Sequence, residues 1–317
     1  MLGVFDISVT TVMVSPLRLL LIAGSTASGK SKLAYKLAKQ EPSRIINADS
    51  MQLYRDLSIL TARPTRAEMN DVPHALYGIW GRAVGSSVAS WLRLADQEIS
   101  QAWSAGQRAI LVGGTGLYFK AFLGGIADIP DIPDAIRVRV RKVMRDEGAK
   151  GLHQRLADLA PGEALRLNPG DTQRLARALE VIYATGRPIS DYYDVPGQSW
   201  SQRLKATNAQ IEMKLLWPDR SLVYERCDSR VVKMVSAGVL QEVEKLMTMT
   251  GALDLADEHP LTKALGLREF HAHICGRTSL DEAIAATQLA TRRYAKRQRT
   301  WFGRQMACWP RLTKPEG

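Results

Sequence analysis

The chain has 317 residues, 45% of them hydrophobic and 24% charged, enough apolar material for a buried core and too much for a wholly disordered protein. Lysine and arginine number 43 against 32 acidic residues, and the resulting charge of +11 points to a polyanionic partner, nucleic acid first. The three cysteines, Cys227, Cys275 and Cys308, stand far apart, which excludes a disulfide scaffold and a cysteine-rich zinc site and fits a reducing compartment.

No apolar run is long enough for a membrane span, and Met1 to Pro16 lacks a basic start before its apolar part. A cytoplasmic protein without membrane attachment is expected, with that N-terminal stretch as a dispensable extension. Leu17 to Ala23 is a nearly continuous apolar run of the kind a buried parallel strand shows. Gly24 to Lys30 then forms a glycine-bearing turn, and Ser31 to Gln40 reads as an amphipathic helix with Leu33, Ala34, Leu37 and Ala38 inward. Arg44 to Ala48 is a second short strand ending at Asp49. Trp91 to Ala105 is a helix stopped by Gly106, and Arg108 to Val112 is a third strand closed by Gly113 and Gly114. Strands alternating with helices predict a parallel α/β sheet.

Beyond a Pro/Asp connector at Ala127 to Asp134 the pattern turns helical as far as Gly186, and Gln198 to Asn208 is polar and strand-poor. Ile211 to Trp217 resumes an extended pattern, and from Asp219 onward the signal is helical, interrupted around Gly251 to Pro260. The expected architecture is one α/β core, residues 17–121 and 209–317, with a mostly helical insertion over 122–208.

Gly24-Ser25-Thr26-Ala27-Ser28-Gly29-Lys30-Ser31 matches GxxxxGK[ST] at every required position, between an apolar strand and an amphipathic helix. The spacing turns successive backbone N–H groups inward around phosphate oxygens. Gly29 permits close approach, Lys30 adds a cation, and Ser31 offers a hydroxyl to Mg²⁺. The strand that ordinarily carries a metal-binding acid ends in Gly113-Gly114, so the nearest strand-end acid is Asp49. From chemistry alone Asp49 could hold Mg²⁺ through water, act as a general base, or cap the following turn, and the three weigh about evenly.

Four further segments follow in order: Asp49-Ser-Met-Gln-Leu-Tyr-Arg55 with Thr61-Ala-Arg-Pro64; Gly113-Gly-Thr-Gly-Leu-Tyr118; Gln173-Arg-Leu-Ala-Arg-Ala-Leu-Glu180 with Thr185-Gly-Arg-Pro188; and Arg292-Arg-Tyr-Ala-Lys-Arg-Gln298 with Thr300-Trp301. Behind a phosphate loop, this set resembles the tRNA dimethylallyltransferase family, from about Leu19 to Phe302. The resemblance implies a P-loop NTPase-like core. It also implies transfer of a dimethylallyl group from dimethylallyl diphosphate to N6 of the adenosine just 3′ of the anticodon, in tRNAs reading codons that begin with U.

The resemblance further implies Asp49 as the general base, Thr115 beside the bridging oxygen of the diphosphate, and Lys30, Ser31 and Mg²⁺ on the departing pyrophosphate. It implies Arg230, with Arg226 as a second candidate, against the diphosphate. It sets Asp49, Ser50, Met51, Gln52, Thr115, Arg137, Gln173, Arg174, Leu175, Ala176, Arg177, Lys263 and Arg268 against the anticodon stem-loop. Ser25 stands where the family commonly has proline, Ser31 where it has threonine, Leu60 and Arg63 where it has glycine and lysine, and Leu267 where tyrosine is common. The zinc finger of eukaryotic relatives is absent, which implies a bacterial-type enzyme, with a monomer as the working assumption.

Plainer readings stand beside these. Arg292, Arg293, Lys296, Arg297, Arg299 and Arg304 form a basic run with i,i+4 repulsion unless an anion is near, and a solvated face explains it as well as RNA does. The histidines show no metal spacing, and Trp80, Trp91 and Trp103 fit a core better than base-stacking platforms. The competing function is a small-molecule kinase on the same phosphate loop, which the Gly-Gly strand end and the long insertion disfavour.

Overall fold

A computed structural model describes residues 16–81, 87–193, 200–248 and 260–314. The proposed N-terminal extension before Pro16 and the interruption between 251 and 259 lie outside the described residues.

Five strands expose the logic of the sheet: β1 (Arg18–Gly24), β2 (Ser43–Asn47), β3 (His74–Ala75), β4 (Arg108–Gly113) and β5 (Gln210–Leu216). A sixth, β6 (Arg311–Leu312), pairs with β5 at the edge, where the sequence signal reads only as helix because two residues are too few to carry a period. The order is β3-β2-β4-β1-β5-β6, and every pairing is parallel. β1 therefore sits between β4 and β5, with Leu20 opposite both Ile110 and Glu212. Leu19 to Ile22 and Ala109 to Leu111 are buried on both faces, which is why these strands read as apolar runs instead of alternating.

The helices are α1 (Lys30–Ala38), α2 (Arg66–Asp71), α3 (Val88–Ser104), α4 (Gly116–Gly124), α5 (Asp134–Leu159), α6 (Pro161–Arg166), α7 (Thr172–Thr185), α8 (Trp200–Thr207), α9 (Arg220–Ser236), α10 (Val239–Thr248), α11 (Leu267–Ile274) and α12 (Leu280–Gln305). Leu33, Ala34 and Ala38 of α1 are buried as its period requires. The polar, strand-poor stretch 198–208 contains the helix α8. α3 begins at a reciprocal Ser87–Ser90 capping box and stops where Gly106 adopts φ +67°. Two compact units result: residues through Lys120 together with Leu204 onward, and Ala121–Arg203. The second unit has its own core of Val140, Leu152, Leu156, Leu175, Leu179 and neighbours, and α5 breaks at Gly148 (φ +65°).

One close approach shapes the site. A Cβ on Gly113 would lie 2.0 Å from the Ala48 carbonyl oxygen and 2.1 Å from its carbon, so only glycine lets β4 leave the sheet beside β2. Gly113→Ala should destabilise the chain by about 1–3 kcal/mol, the usual penalty of overpacking, read as a lowered Tm in thermal unfolding. An unchanged Tm would mean the two backbones separate freely.

Candidate active site

The site lies at the carboxyl ends of β1, β2 and β4, where the strand order reverses. Gly29, with φ +94°, caps α1, and Ala27 is also left-handed at φ +60°; together they curl the backbone into a cradle. No acidic residue occupies the first turn of α1, so the positive end of the helix is left for an anion. Ser31 is solvent-exposed in that first turn, while the Ser28 hydroxyl is buried without a hydrogen-bond partner inside the loop. Lys30 donates its ammonium to the Ser25 carbonyl at 3.3 Å.

Burial lowers the Lys30 pKa to about 8, with Asp49 opposing and Arg230 reinforcing that shift. Below pH 8 the ammonium is charged and ready for an anion; above it the free site loses the charge. The second-order rate for a diphosphate ligand, kcat/KM, should therefore fall towards tenfold per pH unit above about pH 8, because this parameter reports the free enzyme. A flat profile to pH 9.5 would remove Lys30 from anion binding.

Two side chains fasten the phosphate loop from other elements. Arg230 of α9 donates from Nη2 to Thr26 Oγ1 at 2.6 Å, and burial depresses its pKa while Cys227 and Asp49 oppose that. Arg226 is half-buried one turn earlier on α9. Gln298 of α12 accepts the Thr26 N–H at 2.7 Å.

Asp49 sits just past β2 in an Asx-type turn. The Asn47 side chain accepts the Asp49 N–H at 2.8 Å and donates to the Asp49 carbonyl at 2.9 Å and the Leu76 carbonyl at 3.0 Å. Asp49 Oδ1 accepts the Met51 N–H at 3.1 Å. The next loop is bonded to this one: the Ser50 N–H donates to Thr115 Oγ1 at 2.9 Å, and the Thr115 N–H to the Ala48 carbonyl at 3.2 Å. Asp49 and Thr115 are thereby brought together, Lys30 and Arg230 stand close enough to feel the Asp49 charge, and Asp49 Oδ1 caps its turn.

The remaining expected contacts divide by exposure. Ser50 faces the Thr115 loop, Met51 packs on a core cluster, and Gln52 donates to the Thr61 and Ala62 carbonyls at 2.9 and 3.0 Å, so its amide braces a loop. Gln173 and Arg174 are exposed on α7, Ala176 and Arg177 half-buried, and Arg177 pairs with Glu180 at 3.3 Å. Leu175 is wholly buried in the core of its unit, a correction to its expected place against RNA: the helix needs that side chain inward. Lys263 and Arg268 are exposed, whereas Leu267 between them is buried. Arg137 is half-buried. In the basic run, Arg292 pairs with Asp228 and Arg299 donates to the Pro218 carbonyl at 2.7 Å while stacking on Trp217, so Arg293, Lys296, Arg297 and Arg304 are the ones exposed. Trp91 is core, stacked on Tyr118 and donating to the Asn47 carbonyl at 2.8 Å.

The sequence did not single out Asn47, Glu242 or the role of Gln298. Glu242 of α10 accepts three successive N–H groups, from Ser58, Ile59 and Leu60, at 2.6–2.9 Å. No local signal marks that closure. Gln298 could have been found as the amide in a buried stripe with Thr291, Ala295 and Phe302. Trp301 packs its ring where a Cβ on Gly116 would stand, 2.1 Å away, so two of the sequence segments meet.

Comparison with known proteins converges. A family model described as IPP transferase matches residues 52–305, and one described as isopentenyl transferase matches 17–86. The chain is 46% identical over 297 residues to a tRNA dimethylallyltransferase of Phenylobacterium zucineum, covering 93% of this chain and 92% of the relative. It is 46% identical over 285 residues to one of Paramagnetospirillum magneticum, covering 90% and 87%. A crystal structure of a full-length tRNA isopentenylpyrophosphate transferase from Bacillus halodurans superposes with a TM-score of 0.63 at 32% identity, over 93% of this chain and 89% of that one. A eukaryotic dimethylallyltransferase acting on tRNA, at 23% identity, shares the fold with a TM-score of 0.77, over 93% of this chain and 73% of its own.

Proposed function

Because the chain belongs to the tRNA dimethylallyltransferase family, we propose that it transfers a dimethylallyl group from dimethylallyl diphosphate to N6 of the adenosine 3′ of the anticodon, in tRNAs reading U-initial codons. The observation that carries this is the joining of the Asp49 and Thr115 loops through the Ser50 N–H at 2.9 Å, beside a phosphate loop whose lysine feels the Asp49 charge.

In the reaction the N6 lone pair attacks C1 of the dimethylallyl group, the C1–O bond breaks, and its electron pair leaves on the bridging oxygen of pyrophosphate. Asp49 takes the N6 proton. Thr115 accepts from the Ser50 N–H, and Ser50 Oγ lies 3.4 Å away, too long to hold the threonine proton firmly. That hydroxyl is free to donate to the leaving oxygen. Lys30 and the amides of Gly24 to Ser31 carry the growing negative charge, with Arg230 behind Thr26. The donor set suits Mg²⁺, a hard cation that takes oxygen ligands: the Ser31 hydroxyl is exposed and the Ser28 hydroxyl unpartnered. Mg²⁺ would be held by Ser31 and the donor's own phosphate oxygens and would supply charge neutralisation to the leaving group.

In this reading exposed cations of α7 and, separately, of α12 meet RNA phosphate, for which the excess of 43 basic over 32 acidic residues supplies attraction. A cytoplasmic location is part of this proposal because its acceptor is tRNA. Among the described residues no helix is long and apolar enough to cross a membrane. Reversing Arg174 and Arg177 to glutamate should weaken tRNA binding and flatten its salt dependence, by roughly one unit of log–log slope for each phosphate no longer neutralised. An unchanged slope would take α7 out of the RNA interface.

The deciding experiment is mass analysis of nucleosides from tRNA incubated with the protein, dimethylallyl diphosphate and Mg²⁺ in nucleotide-free buffer. Isopentenylated adenosine and one pyrophosphate per transfer are expected. β4 ends in glycines and supplies no acid to anchor a metal for γ-phosphate transfer, so ATP should not be consumed. A strict ATP requirement with ADP released in step would restore the small-molecule kinase.

A further inference from the structure

One neutral amide stands where two loops of the site pass each other. Gln298 is 6% exposed. Its Nε2 donates to the Gly114 carbonyl at 2.8 Å and its Oε1 accepts the Thr26 N–H at 2.7 Å. The partners fix which end is which, since a carbonyl only accepts and a backbone N–H only donates. The approach is direct: a Cβ on Gly114 would lie 2.6 Å from Nε2. On one side Thr26 is held again through its hydroxyl by Arg230. On the other, Gly114 leads into Thr115, whose hydroxyl receives the Ser50 N–H next to Asp49. The loop that would hold the diphosphate and the loop that bears the leaving-group threonine thus share one fastening, supplied by a helix far along the chain.

Resting on the transfer reaction proposed above, we infer that Gln298 is a positioning residue: its amide sets the gap between the phosphate loop and the Thr115 loop, and so the alignment of the breaking C–O bond with Thr115 and Asp49. Among side chains of that length only an amide, or a carboxyl that has taken up a proton, both donates and accepts from fixed positions. An ionised glutamate would turn a lone pair towards the Gly114 carbonyl, and methionine would leave both backbone groups without partners. Misalignment by about an ångström can slow a positioned reaction by roughly 10²-fold without comparable loss of binding.

The test compares Gln298→Met and Gln298→Glu with wild type in the full-length protein, at saturating tRNA and dimethylallyl diphosphate, with inhibition by inorganic pyrophosphate and Tm measured alongside. For Gln298→Met we expect kcat down about 10- to 100-fold, with the pyrophosphate inhibition constant and tRNA affinity within about threefold of wild type. For Gln298→Glu, kcat relative to wild type should rise as pH falls from about 8 to about 6, because a protonated carboxyl donates and accepts as the amide does. Gln298→Met should show no such recovery. A Gln298→Met variant with wild-type kcat and only a lowered Tm would reduce Gln298 to a structural brace and overturn the inference. So would a Gln298→Glu profile parallel to that of wild type across this range, a comparison that holds even if Gln298→Met fails to fold. A wild-type protein that yields no prenylated nucleoside overturns the reaction itself and this inference with it, whereas a fully active variant overturns the inference alone.

Discussion

Asp49→Asn is expected to lower kcat by roughly 10²- to 10⁴-fold, the usual contribution of a general base, while tRNA still binds. The asparagine keeps the shape and can keep the turn: an amide oxygen accepts the Met51 N–H as Oδ1 does at 3.1 Å. What it cannot do is take a proton from N6. The two roles of this side chain are therefore separable, with single-turnover rates reading the base and Tm reading the cap. Near wild-type turnover would demote Asp49 to the capping role that its geometry also supports.

The second large effect concerns Lys30. Lys30→Met should cost roughly 10²- to 10³-fold in kcat, the scale of removing one preorganised charge from a developing anion. Stability should move the other way. The folded-state pKa near 8 lies below the ordinary 10.5, so the unfolded chain binds more protons between those values and stability rises with pH across that window. Below pH 8 the folded protein bears a buried ammonium at a cost, and methionine removes it. A variant with less activity and an equal or higher Tm at pH 7 is the expected signature; loss of both would mean the side chain is needed for the fold.

These two residues were legible in the sequence because their chemistry is local. A phosphate loop is built from contiguous amides, and an acid at a strand end needs only its own strand to be placed. The buried central strands were equally readable, since burial on both faces leaves nothing but apolar residues in Leu19 to Ile22. What escaped was made between distant segments. Glu242 closes on the backbone of Ser58 to Leu60, and Gln298 reaches Thr26 and Gly114, across separations that no periodicity records. β6 escaped for a different reason, being two residues long and fixed by β5. Leu175 shows the converse: a motif marks a stretch of helix, and only the 3.6-residue turn decides which of its members face outward.

The place of β1 between β4 and β5 also bears on synthesis. When β4 leaves the ribosome, β1 can pair on one side only; its other edge, Arg18 to Gly24, must wait for Gln210 to Leu216. At roughly 5–20 residues per second, the intervening stretch of just under a hundred residues keeps that apolar edge open for about 5–20 s. During that interval an unpaired, hydrophobic strand is a template for pairing with another chain. The segment made meanwhile, Ala121–Arg203, carries a separate core and can collapse on itself instead of on that edge. Nascent chains paused just before β5 should accordingly be the most aggregation-prone, and the most dependent on chaperones.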